Sequence, residues 1–214
     1  MNLDDWAELY VTPDRRQRFR EVLAQRLDCL TLVFEHIGDS RNVSACLRVA
    51  DAFGVGRVIH YGDGRYERNR QISMHTDLWV EVLNLQRFED TVARLHGDGF
   101  SLVGSVVDVP GAIPIDQFVP PAKTALVIGS ERNGLTPEMR AACQHLVTIP
   151  TYGFADSLNL GTATAIMVRH LAETYRQQGG PEVRLPAAEQ ERLYRLWLER
   201  DVRLKLRKRG ITAG

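Results

Sequence analysis

What most constrains this chain is a recurrence of short apolar runs, each about as long as a strand and rich in Val, Ile and Leu. They are TLVFEHI from Thr31, RVIHY from Arg57, WVEVLNL from Trp79, SLVGSVV from Ser101, TALVIGS from Thr124 and HLVTIP from His145. Runs that are apolar throughout, rather than alternating with polar residues, suit strands covered on both faces. Helical periodicity fills most of the gaps, over 42–53, 88–96 and 137–143, and a further helix over 160–177 follows the last run. Strand and helix in alternation predict an α/β fold, a parallel sheet flanked by helices. Gly54, Gly97 and Gly99 fall where helices should end, and Pro120, Pro121 and Pro150 border strands.

Each end of the chain carries a basic segment. After Pro13, DRRQRFREVLAQRL sets Phe19, Val22, Leu23 and Leu27 at helical spacing, with arginines on the other turns. Beyond a Gly179–Pro181 linker, LPAAEQERLYRLWLERDVRLKLRKRG reads as a second amphipathic helix with Leu193, Leu196, Trp197 and Leu204 facing inward. The expected organisation is an N-terminal arm over 1–28, a body over 29–178 and a C-terminal arm over 179–214. The formal net charge of zero conceals an asymmetry, because residues 13–26 carry +3 and residues 192–209 carry +6. Basic arms on an acidic body fit a polyanionic partner as readily as they fit solvated helix faces.

Several classes are disfavoured. With 44% hydrophobic and 25% charged residues the composition is that of a folded globular protein. No apolar run approaches the roughly 18 uncharged residues of a membrane-spanning helix. The opening MNLDDWAELY lacks the basic-then-apolar order of a secretion signal, so a cytoplasmic protein without membrane partners is expected. Cys29, Cys46 and Cys143 show no paired spacing and should be free thiols, mostly buried. His36, His60, His75, His96, His145 and His170 are scattered, no zinc spacing occurs, and no metal is expected. A Walker loop, a G-x-S-x-G elbow and the Rossmann glycine fingerprint are all missing, which argues against a nucleotide-binding metabolic enzyme.

Polar and glycine residues concentrate instead at the carboxyl ends of three expected strands, where open α/β sheets bind ligands. In GDSRNVSACLRVADAFGV, Ser40 or Asn42 suits a helix cap, with Val43, Cys46, Leu47, Ala50 and Phe53 on the apolar side and Ser44, Arg48 and Asp51 opposite. In LVIGSERNGLTPE, Thr136 caps and Pro137 opens a helix, while Glu131, Arg132 and Asn133 exceed what a turn needs. In TIPTYGFADSLNLGTATAIMVRHL, Asp156, Ser157 or Asn159 caps a long apolar helix.

Three stretches, N-V-S-A-C-L-R from Asn42 to Arg48, I-G-S-E-R-N-G-L from Ile128 to Leu135, and Ile149-Pro150 with Ser157 to Asn159, together resemble the SpoU or TrmH family of SPOUT-class RNA 2′-O-ribose methyltransferases. Order and spacing also match. The resemblance implies a sheet whose C-terminal portion is tied in a trefoil knot, an exception to the rule that chains do not thread loops. It implies S-adenosylmethionine as cofactor, held largely by backbone at positions matching Ser105, Gly129, Ile149 and Leu158, and a homodimer whose active site combines both subunits. Arg48 matches the family's essential arginine. Since arginine stays protonated at ordinary pH, a clamp on a phosphate that stabilises the developing alkoxide is easier to defend than proton removal. Asn42 matches a residue that orders the first motif, and Glu131, Ser157 and Asn159 match polar residues that shape the cofactor site and dimer contact. A buried Glu131 would require partners, with Asn159 or a backbone amide as candidates.

Within the family the likeness is nearest to the tRNA branch, which methylates the D-loop guanosine, because the terminal helical extensions agree in size. The resemblance then assigns Arg15, Arg16, Arg20, Arg41, Arg132, Arg207 and Lys208 to RNA phosphates. Departures bear on the target nucleotide: Gly161 replaces a small polar residue, Tyr152, Phe154 and Asp156 are bulkier or more charged than expected, Asn133 stands where an aromatic or small residue is usual, and Arg41 stands where histidine often does. The alternatives are the same chemistry on ribosomal RNA or another tRNA position, and a catalytically silent RNA-binding protein.

Overall fold

The computed structural model describes residues 3–62 and 78–210, so His75 lies outside the described residues. The chain divides into two compact units, one of residues 27–183 and one in which the two terminal segments come together.

The larger unit is built on seven parallel strands among the described residues: β1 Leu30–Glu35, β2 Arg57–Tyr61, β3 Glu81–Leu85, β4 Ser101–Ser105, β5 Ile113–Pro114, β6 Thr124–Ile128 and β7 His145–Thr148. Their spatial order is β3-β2-β1-β6-β4-β7-β5. β1 and β6 are therefore central, and all eleven of their residues are buried. The short β5, bordered by Pro110 and containing Pro114, is an edge strand that the apolar runs did not announce.

Side chains of successive strand residues point to opposite faces, which splits the core in two. Leu30, Leu32 and Phe34 join the cluster that includes Val43, Cys46, Leu47 and Ala50 of α3 (Ser40–Ala52) and Met167, Val168 and Leu171 of α6 (Leu160–Gln178). Val33, with Ile59, Ala125 and Val127, joins Leu95 of α4 (Phe88–Gly97) and Met139 of α5 (Pro137–Ala142) on the other face. Helices thus cover both faces, as the continuous apolar runs require. Cys29 and Cys46 are buried, Cys143 is half-buried, and all three are free thiols.

The smaller unit comprises α1 (Leu3–Tyr10), α2 (Pro13–Ala24) and α7 (Ala187–Lys208). α1 lies ahead of Pro13, where the helical spacing in the sequence begins. Thr12 caps α2 by accepting from the Arg15 N–H at 3.3 Å. The Phe19 and Trp197 rings meet edge to face at 5.7 Å. The inward face of α7 is Leu193, Tyr194, Trp197, Leu198, Val202 and Leu206, whereas Leu196 and Leu204, expected inside, are only half-buried. A period of 3.6 carries the buried stripe around the helix, so 196 and 204 fall on its margin. Among the described residues, no helix is long and apolar enough to cross a membrane.

Candidate functional site

The carboxyl edge of the sheet gathers the polar segments singled out in the sequence. Ser105 pairs with Val147 and Gly104 with Val127, so Ser105, Gly129 and Ile149 leave three neighbouring strands within two residues of one level. Leu158 lies in the exposed stretch 150–159 that runs from β7 to α6. A sheet edge of this kind offers backbone N–H and C=O groups, with the half-buried Ile149 as an apolar residue at the end of β7.

After Gly129 the chain folds back at once. Ser130 and Gly134 exchange backbone hydrogen bonds at 3.1 and 2.9 Å, and Gly134 takes φ +64°. A Cβ on Gly129 would lie 2.2 Å from the Gly134 carbonyl group, so no other residue fits without moving the turn. Glu131, Arg132 and Asn133 are displayed at the exposed tip. Glu131 is exposed rather than buried, and its partner is the side-chain amide of Asn42, which donates to Oε1. Asn42 thus takes the place expected of Asn159 or a backbone amide, while the side-chain oxygen of Asn159 serves a helix end.

Asn42 does not cap α3. The cap is Asp39, whose carboxylate accepts from the Arg41 N–H at 2.8 Å and from the Arg41 guanidinium at 3.0 Å, which holds its pKa below the usual range. Asp39 in place of Ser40 or Asn42 shifts the helix start upstream and leaves Asn42 free to reach Glu131. Arg48, further along α3, is exposed. Ser44, expected on the same face as Arg48, is fully buried, since the α3 flank that carries it is covered.

Asn159 opens α6 by accepting from the N–H groups of Gly161 and Thr162 at 3.0 and 3.3 Å. Gly161 is accounted for by close helix packing, because its Cβ would stand 3.2 Å from that of Ala45 on α3. One turn on, Cys46 Sγ and Thr164 Oγ1 meet at 3.3 Å, and burial pushes the Cys46 thiol up to about 11. The three motifs therefore converge on α3, through Glu131 for the second and Gly161 for the third. Ser157 stays in the exposed stretch with Tyr152 and Phe154, two aromatics almost wholly uncovered.

One residue absent from the sequence reading supports this arrangement. Glu35, at the end of β1, is 0% exposed, and its oxygens accept from the Thr136 N–H at 3.0 Å and hydroxyl at 2.6 Å. The carboxylate fastens the end of the 129–136 segment to the central strand. The available signal was a lone acid closing an apolar strand, a position where a charge is costly unless partnered.

The basic residues assigned to phosphates divide by environment. Arg16 donates to the Val11 and Ala7 carbonyls at 3.0 and 3.3 Å, tying α1 to α2. Arg15 reaches Asp201 at 3.5 Å, and Arg20 pairs with Glu191 at 3.5 Å and lies 3.9 Å over the Tyr194 ring. Arg41 is held by Asp39, and Arg132, Arg207 and Lys208 are exposed. Among the described residues, no cluster of His, Cys, Asp or Glu is arranged to hold a metal.

Residues 29–169 match the sequence profile of the SpoU rRNA methylase family. The chain is 32% identical over 188 residues to the tRNA (guanosine(18)-2′-O)-methyltransferase of Escherichia coli K12, covering 86% of this chain and 81% of that protein. It is also 32% identical over 186 residues to the 23S rRNA (guanosine-2′-O-)-methyltransferase RlmB of Nitrosomonas europaea, covering 83% and 70%. Its fold superposes on the crystal structure of the Aquifex aeolicus TrmH/SpoU tRNA modifying enzyme with a TM-score of 0.79 and 26% identity, covering 88% of this chain and 97% of that one.

Proposed function

The chain belongs to the SpoU rRNA methylase family, and from that premise we propose that it is an S-adenosylmethionine-dependent tRNA ribose 2′-O-methyltransferase acting on the D-loop guanosine. The observation that carries the reading is the bond from Asn42 to Glu131, which joins the first two motifs at the carboxyl edge of the sheet. The tRNA target is supported by the E. coli and A. aeolicus relatives, which span most of this chain.

When bound, S-adenosylmethionine supplies an electrophilic methyl group. Ser105, Gly129, Ile149 and Leu158 are the residues that would hold it, and their character fits: backbone at three adjacent strand ends, a glycine turn no Cβ can enter, and two apolar side chains suited to an adenine. Arg48 acts on the RNA. A guanidinium keeps its charge at ordinary pH and presents a rigid fork of donors, so it grips a phosphate beside the target ribose and stabilises negative charge on the 2′-oxygen. Asn42 and Glu131 fix the loop to α3, while Ser157 and Asn159 set the entry to α6. Alignment of hydroxyl and methyl, more than covalent help, then sets the rate.

The same reading includes a trefoil knot in the C-terminal half of the sheet, where β7 enters between β4 and β5. It includes a homodimer with a shared active site, which the uncovered Tyr152 and Phe154 support. It also includes a catalytic domain over 29–178 served by RNA-gripping arms over 1–28 and 179–214, and a place in the cytoplasm. Of the basic residues, Arg41, Arg132, Arg207 and Lys208 have exposed positions for phosphate contact, and Arg15, Arg16 and Arg20 brace the arms as well.

The test is methyl transfer from labelled S-adenosylmethionine to tRNA by the wild type and Arg48→Ala. The wild type labels tRNA, whereas the variant binds the cofactor normally and loses turnover by orders of magnitude. A variant with near wild-type turnover would remove Arg48 from the mechanism.

A further inference from the structure

Of the aromatic residues described, only Tyr152 and Phe154 are exposed, and both lie in the stretch that leads from β7 to α6. Neither ring meets another ring or a guanidinium among the described residues. Such exposure forgoes some of the largest apolar burial that a side chain can contribute. The intervening Gly153 does not serve the backbone, since its φ lies outside the left-handed region and a Cβ there would meet nothing within 4 Å. Glycine at this position instead keeps the strip between Tyr152 and Phe154 free of side-chain bulk. Two residues beyond Phe154, Asp156 is also exposed and has neither a hydrogen bond nor an ion pair among the described residues.

Position ties these groups to the reaction, because Ile149 and Leu158, both assigned to the cofactor, bracket them. A chain advances at most about 3.6 Å per residue, so Phe154 lies within about 18 Å of Ile149 and about 14 Å of Leu158, and Asp156 within about 7 Å of Leu158. A ribose presented to the methyl group brings its base to this part of the surface. An unstacked base seats on an aromatic ring face, and its pairing edge then meets nearby polar side chains. Guanine carries two adjacent donors on that edge, N1–H and the 2-amino group, which match the two acceptor oxygens of one carboxylate. Adenine sets an unprotonated N1 beside its amino group, where a carboxylate is repelled. A second copy of the chain is the competing occupant, but the centre of a protein–protein contact is depleted in aspartate. In a dimer with a shared active site, the rings and Asp156 therefore border the site rather than the buried centre of the contact.

We propose that Tyr152 and Phe154 form a stacking platform for the base of the target nucleotide and that Asp156 reads its pairing edge, which makes this stretch the guanine-selecting element of the reaction. The inference rests on the guanosine 2′-O-methyltransferase reading above. It assigns base selection to three side chains that are bulkier or more charged than the family pattern leads one to expect.

The test uses the full chain and tRNA transcripts with guanosine, inosine or adenosine at the methylated position. Kinetics are measured for wild type, Tyr152→Ala, Phe154→Ala, Gly153→Val and Asp156→Asn. By kcat/KM the wild type prefers guanosine to adenosine by about 100-fold, in the range that one bidentate pair contributes, with inosine, which lacks the 2-amino group, between them. Asp156→Asn reduces that preference to about tenfold or less. Each alanine variant raises KM for tRNA about tenfold, the loss of one base–aromatic stack. The salt dependence of tRNA binding stays the same, because no phosphate contact is removed. Gly153→Val raises KM in the same direction with no loss of Tm, and affinity for S-adenosylmethionine and oligomeric state in size exclusion stay at wild-type values throughout. Unchanged base preference in Asp156→Asn, or unchanged KM in both alanine variants, would overturn the proposal. So would a shift of the alanine variants to a smaller species, which would assign the rings to the contact between copies. A wild type that methylates guanosine while the variants keep its selectivity overturns this inference alone. A wild type that methylates the ribose of another base, or no RNA, overturns the guanosine reading as well.

Discussion

Thr136→Val isolates the fastening of the 129–136 segment. The change conserves volume and removes one hydroxyl with two uses: it donates to the buried Glu35 carboxylate at 2.6 Å and accepts from the Met139 N–H at 3.1 Å as the cap of α5. A hydrogen bond to a charged group contributes about 1.5–3 kcal/mol net, and an N-cap about 1 kcal/mol. The Thr136 N–H still donates to the other Glu35 oxygen at 3.0 Å, so the carboxylate keeps one partner and the loss stays near 3 kcal/mol. At about 2–4 °C per kcal/mol for a chain of this size, Tm falls by about 6–12 °C. Urea unfolding followed by circular dichroism measures the difference, with Thr136→Ser as the reference that retains both bonds. A loss below about 1 kcal/mol in Thr136→Val, or an equal loss in Thr136→Ser, would refute the account of Glu35 as the brace of this loop.

Two further outcomes follow from ionisable groups. Burial pushes the Cys29 and Cys143 thiols up to about 12 and Cys46 to about 11, so the native protein should resist thiol alkylation at pH 8 and react fully in denaturant; rapid native labelling of Cys46 would contradict its burial. His60 has its pKa lowered chiefly by burial, so the native state takes up a proton less readily than the unfolded chain. Its contribution is complete above about pH 6.5 and is lost as pH falls through that value towards the depressed native one, at up to about 1.4 kcal/mol per pH unit. Stability measured from pH 7 to 5 should therefore fall more steeply in wild type than in His60→Gln, and parallel curves would refute the assignment.

Much of the fold was legible because a parallel sheet buried on both faces leaves continuous apolar runs, and six such runs correspond to six of the seven strands. β5 escaped because a two-residue edge strand next to prolines carries no periodic signal. Helix α1 escaped for a similar reason, since its eight residues bury only Ala7 among those the structure details. At the site, the motif residues were legible one by one and their partners were not. Nothing local indicates that Asn42 reaches Glu131, 89 positions away, or that Glu35 holds Thr136, 101 positions away. The helix starts show the same limit. Asp39, Ser40 and Asn42 all have the chemistry of a cap, and the choice among them depends on which side chain the rest of the fold requires elsewhere. In the arms, spacing identified the basic helices, but which arginines were neutralised depended on acids such as Glu191 and Asp201 at the other end of the chain.

The central claim is tested most directly by nuclease digestion of tRNA labelled by the protein from methyl-labelled S-adenosylmethionine, with chromatographic identification of the modified nucleoside and its position. The account predicts label in 2′-O-methylguanosine released from the D-loop. Label on a base rather than a ribose, or confined to ribosomal RNA, would contradict it.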